Sequence, residues 1–344
     1  MQDINRVAID LAKNVFQVCA LNAHNKVLFN KKLSRKKFIE FMAQLPHSTV
    51  FIEACYSSHY WGRTLTEMGH TVHLIPAQHV TPFVRGNKSD NNDALAIAEA
   101  ANRPNLRFVP IKTVQQQEIM AMHRLRERWV KSRTQATNQA RGLLSDFGII
   151  FPLGYKSFRE AMLAVQDNES LSASFRQTMF DLYAEFNQIS ERVTQLENRL
   201  KVYVEQNNNC HIISSVPGIG LINTSALVAS IDQGQAFKNP RKFGVWLGLP
   251  PKQYGSGDRF KRSGISKRGD RYLRTQLIHA ARAAKKWAKH RDDQFSLWIK
   301  QLEARIGKHK ATVAIAHKLA RIIWVLLKKQ QCFVPQYPQK MTNS

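Results

Sequence analysis

The chain reads as an α/β layer domain followed by a long helical region, and three observations predict this. Short apolar runs of strand length alternate with helix-period segments over about the first 100 residues. Apolar residues then recur in alternating steps of four and three at Leu182, Phe186, Ile189, Val193, Leu196, Leu200 and Tyr203, which is a heptad seam. Finally, Val216-Pro217-Gly218-Ile219-Gly220 breaks one helix pattern before a small-residue helix begins at Leu221, as in a helix-hairpin-helix or a tight αα turn.

A chain of 344 residues with 43% hydrophobic content can bury a sizeable core spread over two or three domains. Its 51 Lys and Arg against 25 Asp and Glu give a net charge of +26. Such an excess calls for a polyanionic partner, nucleic acid first and an anionic membrane surface as the competitor. No apolar run reaches the roughly 18 residues of a membrane span, and the first residues lack a signal-peptide pattern. A cytoplasmic protein with no membrane partner is therefore expected. The four cysteines, Cys19, Cys55, Cys210 and Cys332, form no CxxC pair and read as free thiols.

The runs Val7 to Leu11, Val15 to Leu21 and Lys26 to Asn30 read as strands with a hairpin at an Asn-rich turn, and Asp10 lies within the first. A helix pattern at Lys36 to Met42 precedes the strand Thr49 to Ile52, which ends at Glu53. A helix through Tyr60 to Leu65 and a strand at Thr71 to Pro76 follow, and a helix opening near Asp90 and Asp93 closes a mixed α/β unit. Asp90 and Asp93, three apart, share a helix face at the positive end of the helix dipole, a seat for a hard divalent cation. Ser, Asp and Asn also gather before helices simply as caps. In an open sheet, sites form at the carboxyl ends of strands, so Asp10 and Glu53 can converge with the Asp pair. Four carboxylates in one pocket need a cation, and two Mg²⁺ ions are the usual solution for phosphodiester chemistry.

From Thr113 to about Phe147 the chain is helical and basic, with Arg124, Arg128, Lys131, Arg133 and Arg141 around an apolar stripe. That charge reads as a groove for phosphates or as a solvated helix face. The heptad seam reads as an internal hairpin of helices or as a coiled coil between chains, the second being preferred because an exposed seam needs a partner. Gly218 and Gly220 would let backbone approach a phosphate. Then comes a Gly-rich, basic stretch with Ser256 between two glycines and Arg259, Lys261, Arg262, Lys267 and Arg268 around it. Such cations can stabilise a phosphorane-like charge at a serine, although Ser-Gly in a loop is usually only a turn. Helices at 273–287 and 311–327 pack the last domain, and the tail from Pro335 is expected to be disordered.

The order Asp10, Glu53, Asp90, Asp93, then Val216 to Gly220, Gly248-Leu249-Pro250-Pro251 and Ser256-Gly257, resembles the DEDD transposases of bacterial insertion sequences, relatives of the Piv-type DNA invertases. The resemblance spans Asp10 to about Leu327. It implies a RuvC-like domain of ribonuclease H fold at 1–110, a helical coiled-coil linker for oligomerisation at 111–208, a mostly helical transposase domain with helix-hairpin-helix and serine loop at 209–330, and a tail at 331–344. It further implies Mg²⁺ on Asp10, Glu53, Asp90 and Asp93, and Ser256 as the nucleophile that forms a phosphoserine link to DNA. Ser263 and Ser266 stand close enough to compete for that role, and Asp258 follows where other members carry small or polar residues. A structured noncoding guide RNA, and homodimers or homotetramers in which one subunit's acids meet another's serine, are implied as well. Two rivals stand beside this reading: a hydrolytic RuvC-like junction nuclease and a non-catalytic nucleic-acid-binding protein.

Overall fold

The computed structural model describes residues 4–337 except Lys88, Asn105, Gly257 and Asp258, and the side chains of Ser256 and of residues 259–262 lie outside the description. The chain divides into two compact units, residues 1–115 and 116–344.

In the first unit, β1 (Arg6–Leu11), β2 (Val15–Leu21) and β3 (Val27–Ser34) form an antiparallel meander, and β4 (Thr49–Glu53) and β5 (Thr71–Ile75) extend it in parallel. The strand order is β3-β2-β1-β4-β5, a five-stranded mixed sheet. The turn between β2 and β3 closes because Asn22 accepts from the amides of His24 and Lys26 while Asn25 takes a left-handed φ of 63°, a conformation Asn tolerates. The parallel strands need crossovers, supplied by α1 (Arg35–Gln44) and α2 (Ser58–Glu67). These two helices cover one sheet face, where Phe16, Phe38 and Trp61 meet edge to face at 4.8–5.2 Å. After the single turn α3 (Ala77–Val80), helix α4 (Asp90–Ala101) covers the other face. Its Ala94, Ala96, Ile97, Ala98 and Ala100 lie on Ala8, Cys19, Leu21, Phe51 and Ile75. Small side chains on the helix, and Ala8 and Cys19 on the sheet, bring the two close together.

The second unit begins with α5 (Val114–Ser145), α6 (Tyr155–Gln166) and α7 (Ala173–Glu205). Helices α5 and α7 are joined by Arg126, whose Nη2 lies 2.6 Å from the Glu197 carboxylate, and by Arg192 over the Trp129 ring. Helix α6 packs Phe158 against Phe186 of α7 at 4.6 Å. The heptad seam is here corrected: Phe186, Ile189, Val193, Leu196, Leu200 and Tyr203 are all buried within the single chain. The seam packs inside the chain as the internal hairpin of helices, so it is not available as a coiled coil between chains.

Helices α8 (Asn208–Ser214), α9 (Leu221–Ile231) and α10 (Pro240–Trp246) follow, then the hairpin β6 (Pro251–Ser256) and β7 (Arg259–Ile265), and finally α11 (Arg271–Ala288), α12 (Gln294–Ile306) and α13 (Lys308–Lys329). One core joins Leu200 and Tyr203 of α7 to Ala226 and Leu227 of α9, Leu277 of α11 and Ile315 and Leu319 of α13. The expectation of a disordered tail from Pro335 changes for residues 335–337, while residues 338–344 lie outside the described residues. Phe333 packs edge to face on Phe295, and the Gln336 carbonyl accepts from the Gln294 amide at 2.7 Å, so residues 331–337 lie along the helices. Among the described residues no helix is long and apolar enough to cross a membrane.

Candidate functional site

Asp10 and Glu53 stand at the carboxyl ends of neighbouring parallel strands, one step past the paired Ile9 and Ile52. Strand side chains alternate, so Asp10 shares the face of Ala8 and Glu53 that of Phe51, the face that α4 covers. Helix α4 runs back along the sheet from this edge. At its start the Asn91 carbonyl accepts from Asn30 of β3 at 3.0 Å; at its end Asn102 accepts from Arg6, the first residue of β1, at 2.7 Å. Asp90 and Asp93, in the first turn of α4, thus lie toward the end of the sheet where Asp10 is next to last in β1 and Glu53 is last in β4. Ser89 caps this turn, accepting from the Asn92 amide, so capping falls to the serine rather than to either aspartate.

Three side chains that the sequence reading passed over organise this edge. Gln17, opposite Asp10 in the β1–β2 register and buried, donates to Asn30 at 2.7 Å, and Asn30 in turn holds α4. Lys32 of β3 lies 2.8 Å from Asp90. Its hydrogen bond and charge hold the Asp90 carboxyl below the usual range. The signal was present in the sequence, since Gln17 interrupts an apolar strand at the position facing Asp10. Among the described residues no group of three or more His, Cys, Asp or Glu is gathered closely enough to hold a metal. The donor set is nonetheless all carboxylate oxygen, the hard chemistry Mg²⁺ takes, and at Asp90 a lysine already supplies a counter-charge.

The Gly-rich basic stretch is not a loop but a two-stranded arm. Pro251 pairs with Ile265 at its base and Ser256 with Arg259 at its far end, while Gly257 and Asp258 lie outside the described residues. Pro251 to Gly255, Ser263 and Gly264 are exposed. The base is clasped by two glycines in left-handed conformations, Gly248 (φ +69°) and Gly269 (φ +129°). A Cβ on Gly248 would strike the Arg268 backbone, and one on Gly269 the Trp246 carbonyl. The Lys267 and Ser266 amides donate to Gly248 and Pro250, and Arg274 donates to the Leu247 carbonyl at 3.0 Å. The three candidate serines are thereby separated: Ser256 ends the arm, Ser263 is midway, and Ser266 lies at the base opposite Pro250, about 20 Å from Ser256 at about 3.3 Å per strand step.

The expected phosphate contacts divide as well. Arg124, Arg128 and Lys131 are exposed along α5, and Lys267, Arg268 and Gly220 are exposed in the second unit. Arg259, Lys261 and Arg262 lie on β7, their side chains outside the description. Arg133 instead stacks on Tyr155 at 4.4 Å and Arg141 on Phe151 at 4.9 Å, so these two guanidinium groups pack α5 against the segment leading into α6. Gly218 (φ +85°) is likewise redirected. A Cβ there would meet the Ala280 carbonyl and the Ala284 amide, so the close approach it permits is to α11 and not to a phosphate.

Beneath the start of α11 lies a buried polar chain. Ser225 donates its one proton to the Leu221 carbonyl at 2.8 Å, so it accepts from His123 Nε2 at 3.0 Å, and His123 Nδ1 accepts from the Tyr272 hydroxyl at 2.8 Å. Burial first, and Arg126 second, lower the His123 pKa from 6.5 to about 4, and burial pushes the Tyr272 hydroxyl up to about 12. With the folded value below the unfolded one, the unfolded chain binds the extra proton between these two pH values. Stability from this site is complete above pH 6.5 and is lost as pH falls toward 4, in total about 3 kcal/mol. Urea unfolding from pH 7 to pH 5 should show about 2 kcal/mol of this loss, and His123→Gln should follow a flatter curve; parallel curves would refute it.

A family model described as Transposase, of the DEDD IS110 kind, matches residues 7–149, and one described as Transposase IS116/IS110/IS902 family matches residues 210–296. The chain is similar to a probable family 20 transposase of Pseudomonas aeruginosa, 40% identical over 97% of this chain and 99% of that protein. It is also similar to the transposase for insertion sequence element IS1111A of Coxiella burnetii, 39% identical over 97% of this chain and 92% of that protein. A pilin gene-inverting protein of Moraxella bovis is 22% identical over 95% of this chain and 97% of its own length.

Proposed function

The chain belongs to the IS110/IS116/IS902 transposase family, a DNA transposase with gene-inverting relatives, and from that premise we propose a division of chemical labour between its two units. In this reading Asp10, Glu53, Asp90 and Asp93 hold Mg²⁺ and Ser256 is the nucleophile. The observation that supports it is that α4, which begins with Asp90 and Asp93, covers the sheet face shared by Asp10 and Glu53 near the carboxyl ends of β1 and β4. Bound there, Mg²⁺ would neutralise phosphate charge as the phosphorus is attacked. Asp90 must give up Lys32 to join such a site, and Lys32 is then free to meet a phosphate oxygen.

The Ser256 Oγ attacks phosphorus and forms a Ser–O–P bond as one sugar O–P bond breaks. The serine proton passes to a base or to water, the expelled sugar oxygen takes up a proton and leaves as a free hydroxyl end, and the other strand end stays esterified to the protein. A hydroxyl end of a second strand then attacks the phosphoserine and returns the serine, so phosphodiester bonds are conserved and no external energy is needed. Arg124, Arg128, Lys131, Gly220, Arg259, Lys261, Arg262, Lys267 and Arg268 would contact phosphates. The net charge of +26 supports a polyanionic partner without distinguishing DNA from RNA. A structured guide RNA belongs to this reading through the family resemblance alone. Assembly as a homodimer or homotetramer is part of the same reading. It is supported by exposed Phe147, Ile150 and Leu153 past the end of α5, not by the heptad seam.

The test combines the protein with its element's DNA ends and the flanking transcribed sequence, with and without Mg²⁺, and resolves the products on a denaturing gel. A Mg²⁺-dependent protein–DNA adduct that is lost in Asp10→Asn is the expected result. Cleaved DNA without an adduct would replace this reading with hydrolysis by water.

A further inference from the structure

We propose that the exposed face of α11 is a sequence-independent phosphate track for duplex DNA, leading away from the base of the serine arm; this rests on the reading that the arm meets DNA. Residues 238–289 hold 15 of the chain's 51 Lys and Arg but two of its 25 Asp and Glu. Of those two, Asp258 lies outside the described residues and Asp270 is occupied as the cap of α11, accepting from the Leu273 amide at 2.8 Å. Some of the cations are also occupied by packing. Arg274 serves the Leu247 carbonyl, and Lys285, nearly buried, lies 2.6 Å from Glu303.

What remains on α11 is Arg271, Arg282, Lys286 and Lys289, all exposed and none paired with a carboxylate among the described residues. At about 100° per residue these four fall within an arc of about 60°, with His279 beside them, while Leu273, Leu277, Ala281, Ala284 and Ala288 are buried on the other side. Like charges in line on one helix face, with Arg282 and Lys286 four apart, repel one another and contribute nothing to folding. A row of phosphates removes that repulsion. The stripe presents only Arg, Lys, His and Thr275, and a row of cations along the outer face of one helix is the arrangement that contacts phosphates whatever the sequence. The Gly248/Gly269 clasp fixes where α11 begins relative to the arm, and the stripe then runs about 27 Å, the length of about eight base pairs.

The experiment measures binding of the full chain to a 30-base-pair DNA duplex of several sequences, from 50 to 200 mM salt. One variant carries Arg271→Gln, Arg282→Gln, Lys286→Gln and Lys289→Gln together. Binding at 0.1 M salt should weaken by at least about 100-fold for every sequence, and the slope of log affinity against log salt should shrink by about 3. A second variant with Lys286→Arg and Lys289→Arg keeps both. An unchanged slope overturns the proposal, as does a loss seen with an RNA duplex of equal length but not with DNA. Binding needs no cleavage, so the two readings fail separately: a serine adduct with an unchanged slope sinks the track alone, and a reduced slope with no adduct sinks the serine chemistry alone.

Discussion

Ser256→Ala is expected to abolish strand transfer and the covalent DNA adduct, a loss of about four orders of magnitude or more, while duplex binding stays within about twofold. Alanine offers no atom that can attack phosphorus, and a water in its place would yield hydrolysed ends instead of joined ones. Binding should survive because the exposed cations of α5 and α11 are untouched, and stability because the arm is exposed along its described length. Ser263→Ala and Ser266→Ala serve as controls. The Ser266 amide is bound to Pro250 at the base of the arm, so its replacement should leave transfer in place. Joined products from the Ser256→Ala protein would end the assignment.

Gly269→Ala is expected to destabilise the second unit by about 3–5 kcal/mol, and so to lower its melting temperature by roughly 10 °C. Two effects combine. A φ of +129° is readily adopted only by glycine, and the added methyl would occupy the space of the Trp246 carbonyl. Since that carbonyl belongs to the end of α10 and Gly269 to the start of α11, the strain falls on the joint that carries the arm. Gly264→Ala is the contrast. It lies on the same arm with nothing within 4 Å of its added carbon, so melting should hardly move. Equal melting of Gly269→Ala and the unaltered protein would show that the clasp yields easily.

Much of the acidic edge was legible because it depends on local periodicities. Asp10 and Glu53 each end or interrupt an apolar strand, and the three-residue step from Asp90 to Asp93 is a helix step. What stayed hidden depends on partners distant in sequence. Lys32 looks like any strand lysine until the start of α4 arrives beside it, and Arg133 and Arg141 look like phosphate ligands until Tyr155 and Phe151 fold back beneath them. The heptad seam announced an apolar stripe correctly but not what covers it, because period alone does not distinguish a helix of the same chain from that of another. The arm was missed for a different reason. Glycines at 255 and 264 weaken a strand pattern, and the two-residue step Gly257-Asp258 between Ser256 and Arg259 was the hairpin cue that outweighs them.

Helix α4 rests on the sheet chiefly through alanine methyl groups. Alanine has no rotamers, so of the buried residues on the helix side of that contact only Ile97 can repack to let the helix tilt or slide. The aspartates at its first turn thus inherit their height above the strand ends from backbone-to-backbone spacing, as a shelf takes its level from the wall. Enlarging Ala94 or Ala98 would lift the first turn, and with it Asp90 and Asp93, by about the width of a methyl group.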